Sequence, residues 1–482
     1  MRRWRWQLCL RTNGDRDTDR DYDACRGHEL AGSLSRPDAL RCAAMTPSDR
    51  ALYESKRVSV ADLTARLDGV ESLVTGLITG QARAVLRAIG PRDPARPLAL
   101  YVGLLVEPYP CLRDPAVRVV SGFFGPIERM ARAAGLGVEF LPSDFHGFER
   151  LTFALRPRAV AAPVSPPDDE GFCSFGLHAG AIFGPFLEAA RDPTRLAIAE
   201  VNPHVPCVLG LPEFGGHRVH VRDLDVIVED DTPLVTIPYA QPLAEERAIA
   251  GFVGELVEDG ATLQFGIGGI PNAVAELLCE AEKGDFGVHS EMFADGIMRL
   301  HQAGKVVNRK GLHDGYSIAT FAGGSERLYR WLDRNPNVRM LPVAAVNDPP
   351  QLARMRRFTA INAALGIDLH GQVVADAVNG RQYSGIGGHE TFTMGGRQAP
   401  GGKSIICVRS TFTTAGERRS SIVAALPAGT VVTTPRHQVH YVVTEWGIAE
   451  LEDRSDRARV DALIAVAHPD FRADLRKAWH EL

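Results

Sequence analysis

The chain has 482 residues, of which 45% are hydrophobic and 23% charged, and its 54 basic and 59 acidic residues give a formal net charge of −5. These fractions are typical of a soluble globular protein of roughly two to four domains. The near-balanced charge gives no overall reason to expect nucleic-acid binding. Apolar runs such as residues 98–106 are far shorter than the ~20 residues of a membrane helix, so no membrane association is expected.

The eight cysteines are scattered along the chain. They form neither a CxxC pair nor a zinc-ribbon spacing, so the sequence predicts no metal site of that kind. Scattered cysteines in a long chain favour reduced thiols and a cytoplasmic location.

Residues 1–44 differ from the rest of the chain. Arginines and acidic residues alternate there without an apolar period, which favours disorder. The segment lacks the apolar core of a secretory signal and is too acidic for a transit peptide. We interpret it as a disordered extension or as the product of a start codon placed too early.

From residue 58 onward, short β-branched runs alternate with amphipathic helix patterns, as in residues 98–106 followed by 126–134. This alternation predicts an α/β protein built on open parallel sheets. Two prolines, Pro238 and Pro242, interrupt the pattern and suggest a linker at 238–244. The predicted domains are therefore residues 45–237 and residues 245–482.

The first glycine-rich segment, residues 261–274, reads as a strand, a turn containing Gly266, Gly268 and Gly269, and a helix beginning at Pro271. Its spacing is not a dinucleotide-binding fingerprint. The turn either binds an anion at the helix N-terminus or is a tight structural connection.

The second segment predicts a strand at 286–289 and a helix at 291–301, which puts Glu291 at the carboxyl end of a strand, where open α/β sheets bind ligands. In the alternative interpretation, Ser290 caps the helix and Glu291 only complements its dipole.

The third segment contains Gly385, Gly387 and Gly388. Its backbone N–H groups form either an oxyanion hole or part of a surface loop. In the fourth segment, His437 and His440 are spaced like metal ligands. A strand predicted at 439–443 would turn them to opposite faces, so we expect them to be structural.

Taken together, these segments resemble the acetyl-CoA hydrolase/transferase family, which includes 4-hydroxybutyrate and acetate CoA-transferases. Weaker similarity extends back to about residue 55, and residues 1–44 have no counterpart. The matching segments are residues 263–274, 289–292, 346–349, 361–364, 383–388, 440–445 and 467–472.

The resemblance implies two open α/β domains of CoA-transferase type, with the active site between them, in a homodimer or higher oligomer. It implies that Glu291 is the catalytic carboxylate and that the loop from Gly385 through Ile386, Gly387 and Gly388 to His389 provides oxyanion donors and substrate contacts.

It further implies that the turn containing Gly266, Gly268 and Gly269 contacts CoA. Asn347, which follows a strand predicted at 340–346, would touch the acyl carbonyl, and Glu445 would orient groups in the site.

The implied reaction moves CoA between a short-chain acyl-CoA and a carboxylic acid through a glutamyl-CoA thioester. CoA is a substrate, and no cofactor is expected. An acyl-CoA hydrolase and a non-catalytic acyl-CoA-binding protein remain alternatives. The sequence departs from the family at His389, where relatives often have Gln, and at residues 391–396, which replace Asp-Phe-x-Arg-Gly-Ala. These departures leave the identity of the acyl group open.

Overall fold

Two large β-sheets organise the chain, and the computed structural model describes residues 45–481 of it. The predicted N-terminal extension lies outside the described residues.

In the first half, the helices are α1 Pro47–Lys56, α2 Val60–Leu67, α3 Arg83–Arg87, α4 Pro126–Ala133, α5 Phe145–Leu155 and α6 Phe183–Ala189. The strands are β1 Ser72–Leu77, β2 Leu98–Gly103, β3 Val117–Ser121, β4 Val138–Phe140, β5 Ala159–Val164, β6 Phe172–Ser174, β7 Leu196–Val201, β8 Arg218–His220 and β9 Val226–Glu229.

In the second half, the helices are α7 Ala244–Leu256, α8 Gly269–Glu280, α9 Asp295–Gln302, α10 Glu326–Leu332, α11 Val343–Val346, α12 Pro349–Leu352, α13 His389–Gln398, α14 Asp456–Val466 and α15 Arg472–Glu481. The strands are β10 Thr262–Phe265, β11 Gly287–Val288, β12 Met292–Phe293, β13 Ser317–Ala319, β14 Phe321–Ala322, β15 Val338–Met340, β16 Phe358–Ala363, β17 Gly366–Asp368, β18 Val373–Val374, β19 Ala377–Val378, β20 Arg381–Gln382, β21 Lys403–Cys407, β22 Thr411–Thr414, β23 Glu417–Ser420, β24 Ile422–Val423, β25 Tyr441–Thr444 and β26 Gly447–Glu450.

The first sheet has seven parallel strands in the order β4-β3-β2-β1-β5-β7-β9. Strand β5, in the interior of this sheet, is buried at every position, which explains its continuous run of small and apolar residues. Strand β1 changes register between Val74 and Leu77, and Ile78 adopts a positive φ of 45° directly after it. The carboxyl end of β1 is therefore irregular where it approaches the second half of the chain.

The second sheet has six strands in the order β11-β10-β16-β21-β25-β26. All pairs are parallel except the edge pair β25-β26. The prediction of an α/β protein with open parallel sheets is therefore confirmed. No helix in the described part of the chain is both long and apolar enough to cross a bilayer.

One hydrophobic core spans both halves. It includes Val164 and Val201 of the first sheet, Val253 of helix α7, and Leu263 and Ile361 of the second sheet. Residues 230–243, which contain the predicted linker, form neither helix nor strand. The division into two domains at this segment stays a prediction.

Three local predictions were wrong. Residues 291–301 are not one helix, because Met292–Phe293 pairs with Phe321–Ala322 as a strand and the helix begins only at Asp295. Residues 340–346 are not a strand, because the chain turns at Pro342 into the short helix Val343–Val346. The strand predicted at 439–443 begins at Tyr441 instead, after a 3₁₀ turn.

Candidate active site

A cavity of about 320 Å³ lies where the carboxyl ends of strands from both sheets meet. Residues at the ends of β1 and β2, such as Gly76 and Gly103, line it from the first sheet. Phe265 at the end of β10 and Asn362 near the end of β16 line it from the second. Both sheets therefore contribute the edge at which open α/β folds bind ligands.

Glu291 lines this cavity three residues after strand β11. Its carbonyl oxygen accepts hydrogen bonds from the backbone N–H groups of Thr320, at 3.0 Å, and Phe321, at 3.2 Å. Ser290 does not cap a helix, because its hydroxyl donates to the carbonyl of Phe265, at 3.1 Å. The neighbouring strand, not a helix dipole, thus holds Glu291 in place.

Asn347 holds the carboxylate of Glu291. Its Nδ2 donates to Oε2 of Glu291, at 2.6 Å. Asn347 occupies the position after helix α11, where its backbone N–H donates to the carbonyl of Val343, at 2.7 Å. The sequence therefore predicted the proximity of Asn347 to the site, although it assigned the preceding segment to the wrong element.

Burial raises the pKa of Glu291 to about 7, because the surrounding protein solvates a carboxylate less well than water does. The hydrogen bond from Asn347 lowers the pKa, and the negative charge of Asp144 raises it. Near neutral pH, Glu291 is thus present both as the carboxylate and as the acid.

The glycine loop at residues 385–388 packs directly on Glu291. A Cβ atom added to Gly388 would lie 2.3 Å from Oε2 of Glu291 and 2.8 Å from Nδ2 of Asn347. Gly388 has an ordinary φ of −92°, so the lack of space, not the backbone conformation, requires glycine there. Gly387 has a φ of 54°, in the region that favours glycine.

Two backbone N–H groups of this loop are available to a ligand. Among the described residues, nothing accepts a hydrogen bond from the N–H of Gly387 or of Gly388. The carbonyl of Gly387 accepts from the N–H of Phe145, at 3.2 Å. Because the N–H of a trans peptide points opposite to its carbonyl, this bond turns the N–H of Gly388 away from Phe145.

The first half of the chain anchors the loop from the other side. Nη1 of Arg129, on helix α4, donates to the carbonyl of Tyr383, at 2.5 Å. The guanidinium carbon of Arg129 also lies 4.3 Å from the centre of the Tyr383 ring, a cation–π distance. The N–H of Phe124 donates to the carbonyl of Ser384, at 3.4 Å.

The other predicted site residues divide into two groups. Gly266, Gly385, Ile386 and His389 line the cavity. Gly268 and Gly269 begin helix α8 and are not among the lining residues.

The carboxylate of Glu246 occupies the space that a side chain at position 269 would need. A Cβ atom there would lie 1.9 Å from Oε2 of Glu246, which accepts from the N–H of Leu243. Pro271 is the third helical residue rather than the first.

Glu445 is not among the residues that line the cavity, and its role in orienting groups of the site stays a prediction. Its carboxylate accepts from the N–H of Ser410, at 2.9 Å, and from the hydroxyl of the same residue, at 2.5 Å. It follows β25 at the turn into the antiparallel edge strand β26, and it fixes the end of β21 there.

Sequence reasoning missed Asp144 and His178, which both line the cavity. Asp144 follows strand β4, so the rule that ligands bind at carboxyl ends of strands would have found it. His178 lies in an irregular segment that pairs with Phe321 across an isolated bridge, and no local signal marks it.

Comparison with known proteins identifies this arrangement. Residues 324–479 match the family model described as the acetyl-CoA hydrolase/transferase C-terminal domain. Succinyl-CoA:cyclohexane-1-carboxylate CoA transferase of Geobacter metallireducens is 38% identical over 76% of this chain and 80% of its own length. The 4-hydroxybutyrate coenzyme A transferase of Clostridium kluyveri is 41% identical over 65% of this chain and 70% of its own length.

The crystal structure of RipA from Yersinia pestis superposes with a TM-score of 0.81 and 31% identity, covering 90% of this chain and 99% of that one. Fold, site and comparisons together define an enzyme of CoA-transferase type. The chain belongs to the acetyl-CoA hydrolase/transferase family, as its sequence motifs predicted.

We expect Gly388→Ala to lower activity by ~100-fold, because the added methyl group displaces Glu291 or Asn347 from their contact. Gly251→Ala is the matched control, since a Cβ atom in that helical position meets nothing within 4 Å. Steady-state rates and melting temperatures of both variants check the prediction. Full activity in a folded Gly388→Ala protein contradicts it.

We expect Arg129→Ala to lower kcat by about 10-fold with little change in KM, because the glycine loop loses its anchor while the cavity keeps its walls. Arg66→Ala, at an exposed position of helix α2, controls for the loss of a charge. A kcat equal in the two variants contradicts the anchoring role.

Proposed function

We propose that this chain transfers CoA from an acyl-CoA to a free carboxylic acid, with Glu291 as the covalent carrier. One observation carries the proposal: the Glu291 carboxylate lines a largely apolar cavity, accepts a hydrogen bond from Asn347, and lies next to a glycine loop in which the N–H groups of Gly387 and Gly388 have no acceptor among the described residues. This combination supplies a nucleophile and a site for the negative charge that develops on an attacked carbonyl.

In the first step, a Glu291 oxygen attacks the thioester carbonyl of the acyl-CoA. The N–H groups of Gly387 and Gly388 stabilise the resulting oxyanion. The carbon–sulfur bond then breaks, the CoA thiolate leaves with the electron pair, and an acyl-glutamyl anhydride remains.

In the second step, the thiolate attacks the glutamyl carbonyl of this anhydride. The first acid leaves as its carboxylate, and Glu291 carries CoA as a thioester. An acceptor carboxylate reverses both steps and leaves as the new acyl-CoA. In each step one anion, a carboxylate or the thiolate, attacks a carbonyl and another anion leaves, so the reaction needs no net proton transfer.

Glutamate suits this chemistry because its anhydride is reactive at both carbonyls, whereas a serine would form a less activated ester. The apolar walls of the cavity limit the access of water, which would otherwise hydrolyse the anhydride and the thioester. Water exclusion thus separates a transferase from an acyl-CoA hydrolase on the same scaffold. The homodimer or higher oligomer stays a prediction.

Mass spectrometry tests the proposal. After incubation of the full chain with butyryl-CoA, we expect CoA bound covalently to the peptide that contains Glu291, and transfer to acetate at steady state. Glu291→Ala abolishes both, with a rate loss of at least ~1,000-fold. Glu445→Gln is the matched carboxylate control, because Glu445 lies outside the cavity lining.

The alternatives give different results. Release of CoA at the same rate with and without acetate would identify a hydrolase. Binding of butyryl-CoA without an adduct or turnover would identify a non-catalytic acyl-CoA-binding protein. Full activity in Glu291→Ala would exclude the proposed mechanism.

The pKa of Glu291 predicts the pH profile. Since attack requires the carboxylate, we expect kcat/KM for the acyl-CoA to rise about tenfold per pH unit below pH 7 and to level off above it. Asn347→Ala removes the hydrogen bond that lowers this pKa, so its plateau begins at a higher pH. Asn362→Ala, elsewhere on the cavity wall, is the control, and an unshifted profile in Asn347→Ala contradicts the prediction.

A further inference from the structure

The walls of the cavity are apolar and carry no basic side chain. Phenylalanines and branched aliphatic residues form much of the surface, and no lysine or arginine lines the cavity within the described part of the chain. The apolar wall includes Ile78, Phe123, Phe145, Phe148, Ile182 and Phe321.

Four ionisable side chains line the cavity, and two of them are acids. Asp144 lies close enough to Glu291 to raise its pKa. Both acids carry negative charge when ionised and disfavour a further anion nearby. The remaining two are the histidines His178 and His389.

Neither histidine supplies a positive charge. The ring of His178 packs against three glycines. Neither of its ring nitrogens has a hydrogen-bond partner among the described residues. Burial lowers the pKa of His178 to about 3 and that of His389 to about 4, so both rings are neutral at pH 7.

Two cations that are not part of the cavity wall, Lys310 and Arg129, donate hydrogen bonds to backbone carbonyls. The ammonium group of Lys310 donates to the carbonyls of His313, at 2.9 Å, and Tyr316, at 2.5 Å. Arg129 donates to Tyr383 on the outer side of the glycine loop. Neither residue is part of the cavity wall.

We propose that the cavity admits acyl groups without a second charge and discriminates against dicarboxylic acyl groups such as succinyl. The inference rests on the proposed function, and it specifies the class of acyl group. The reacting carboxylate loses its charge when it bonds to Glu291 or to CoA. A second carboxylate stays ionised through every step, and the described lining of this cavity is largely apolar and offers it no cation.

A pair of substrates of nearly equal shape isolates the charge. 4-Oxopentanoyl-CoA and succinyl-CoA differ at the end of the acyl chain, where a methyl ketone replaces a carboxylate. With the full chain, acetate as acceptor and pH 7.5, we expect kcat/KM to be ~100-fold higher for 4-oxopentanoyl-CoA. A preference of less than tenfold overturns the inference.

The pH dependence of this preference distinguishes charge from size. As the pH falls from 7.5 to 5.0, the free carboxyl of succinyl-CoA becomes partly protonated, so we expect the preference to shrink. The ionisation of Glu291 affects both substrates equally and cancels in the ratio. A preference that does not change with pH overturns the inference.

Butyryl-CoA separates this test from a failure of the proposed function. Absence of a CoA adduct on Glu291 with butyryl-CoA would exclude the covalent mechanism itself. Transfer from butyryl-CoA with equal rates from the two test substrates would overturn only the selectivity.

A cation placed in the wall tests the cause directly. Phe148, which is 7% exposed and lines the cavity, is replaced by Lys or, as a neutral control of similar length, by Met. We expect Phe148→Lys to raise the rate ratio of succinyl-CoA to 4-oxopentanoyl-CoA at least tenfold over Phe148→Met. Equal ratios in the two folded variants contradict a missing cation as the cause, and the wild-type comparison decides the inference if either variant fails to fold.

Discussion

The contact between Gly388 and the Glu291 carboxylate is the constraint on which the rest of the site depends. It brings a loop of the second half within van der Waals distance of the carboxylate. Three residues of the first half fix the same loop by donating hydrogen bonds to its backbone carbonyls. They are Phe145, Phe124 and Arg129. A site built in this way is complete only when both halves of the chain are packed together, which is consistent with the single core that runs through them.

The burial of Glu291 affects both its own ionisation and the cost of other charges in the cavity. Burial raises the pKa of the carboxylate and makes it a better nucleophile once ionised. Each additional charge in the cavity is costly, because no described residue of the wall is a basic partner for it. Asn347 offsets part of this cost with a hydrogen bond to Oε2, so Glu291 still ionises near neutral pH.

Local sequence patterns predicted the helices and strands whose formation depends mainly on burying their own apolar residues. The continuous apolar run of β2 and the amphipathic pattern of α4 predicted these two elements correctly, because each element buries its own apolar residues. The prediction of a helix at Glu291 was wrong because Met292–Phe293 forms a strand with Phe321–Ala322, 29 residues further along the chain, and no local periodicity indicates such a pairing. Asn347 and Glu445 were both assigned from the family resemblance. Only the structure shows that one contacts Glu291 and that the other is committed to Ser410.

The residues that depart from the family pattern lie on helix α13. Residues 391–396 lie on helix α13, where Phe392 faces the cavity and the two glycines pack elsewhere: Gly395 on Leu352, and Gly396 on the backbone of Lys403. Gly395 and Gly396 therefore allow α13 to pack closely on helix α12 and strand β21, and Phe392 is the residue of this stretch that lines the cavity. His389 is the departure that lines the cavity, and its ring is neutral because it is buried. Replacing a neutral amide by a neutral imidazole changes the shape and hydrogen bonding of the wall without adding charge, as the proposed preference for uncharged acyl groups requires.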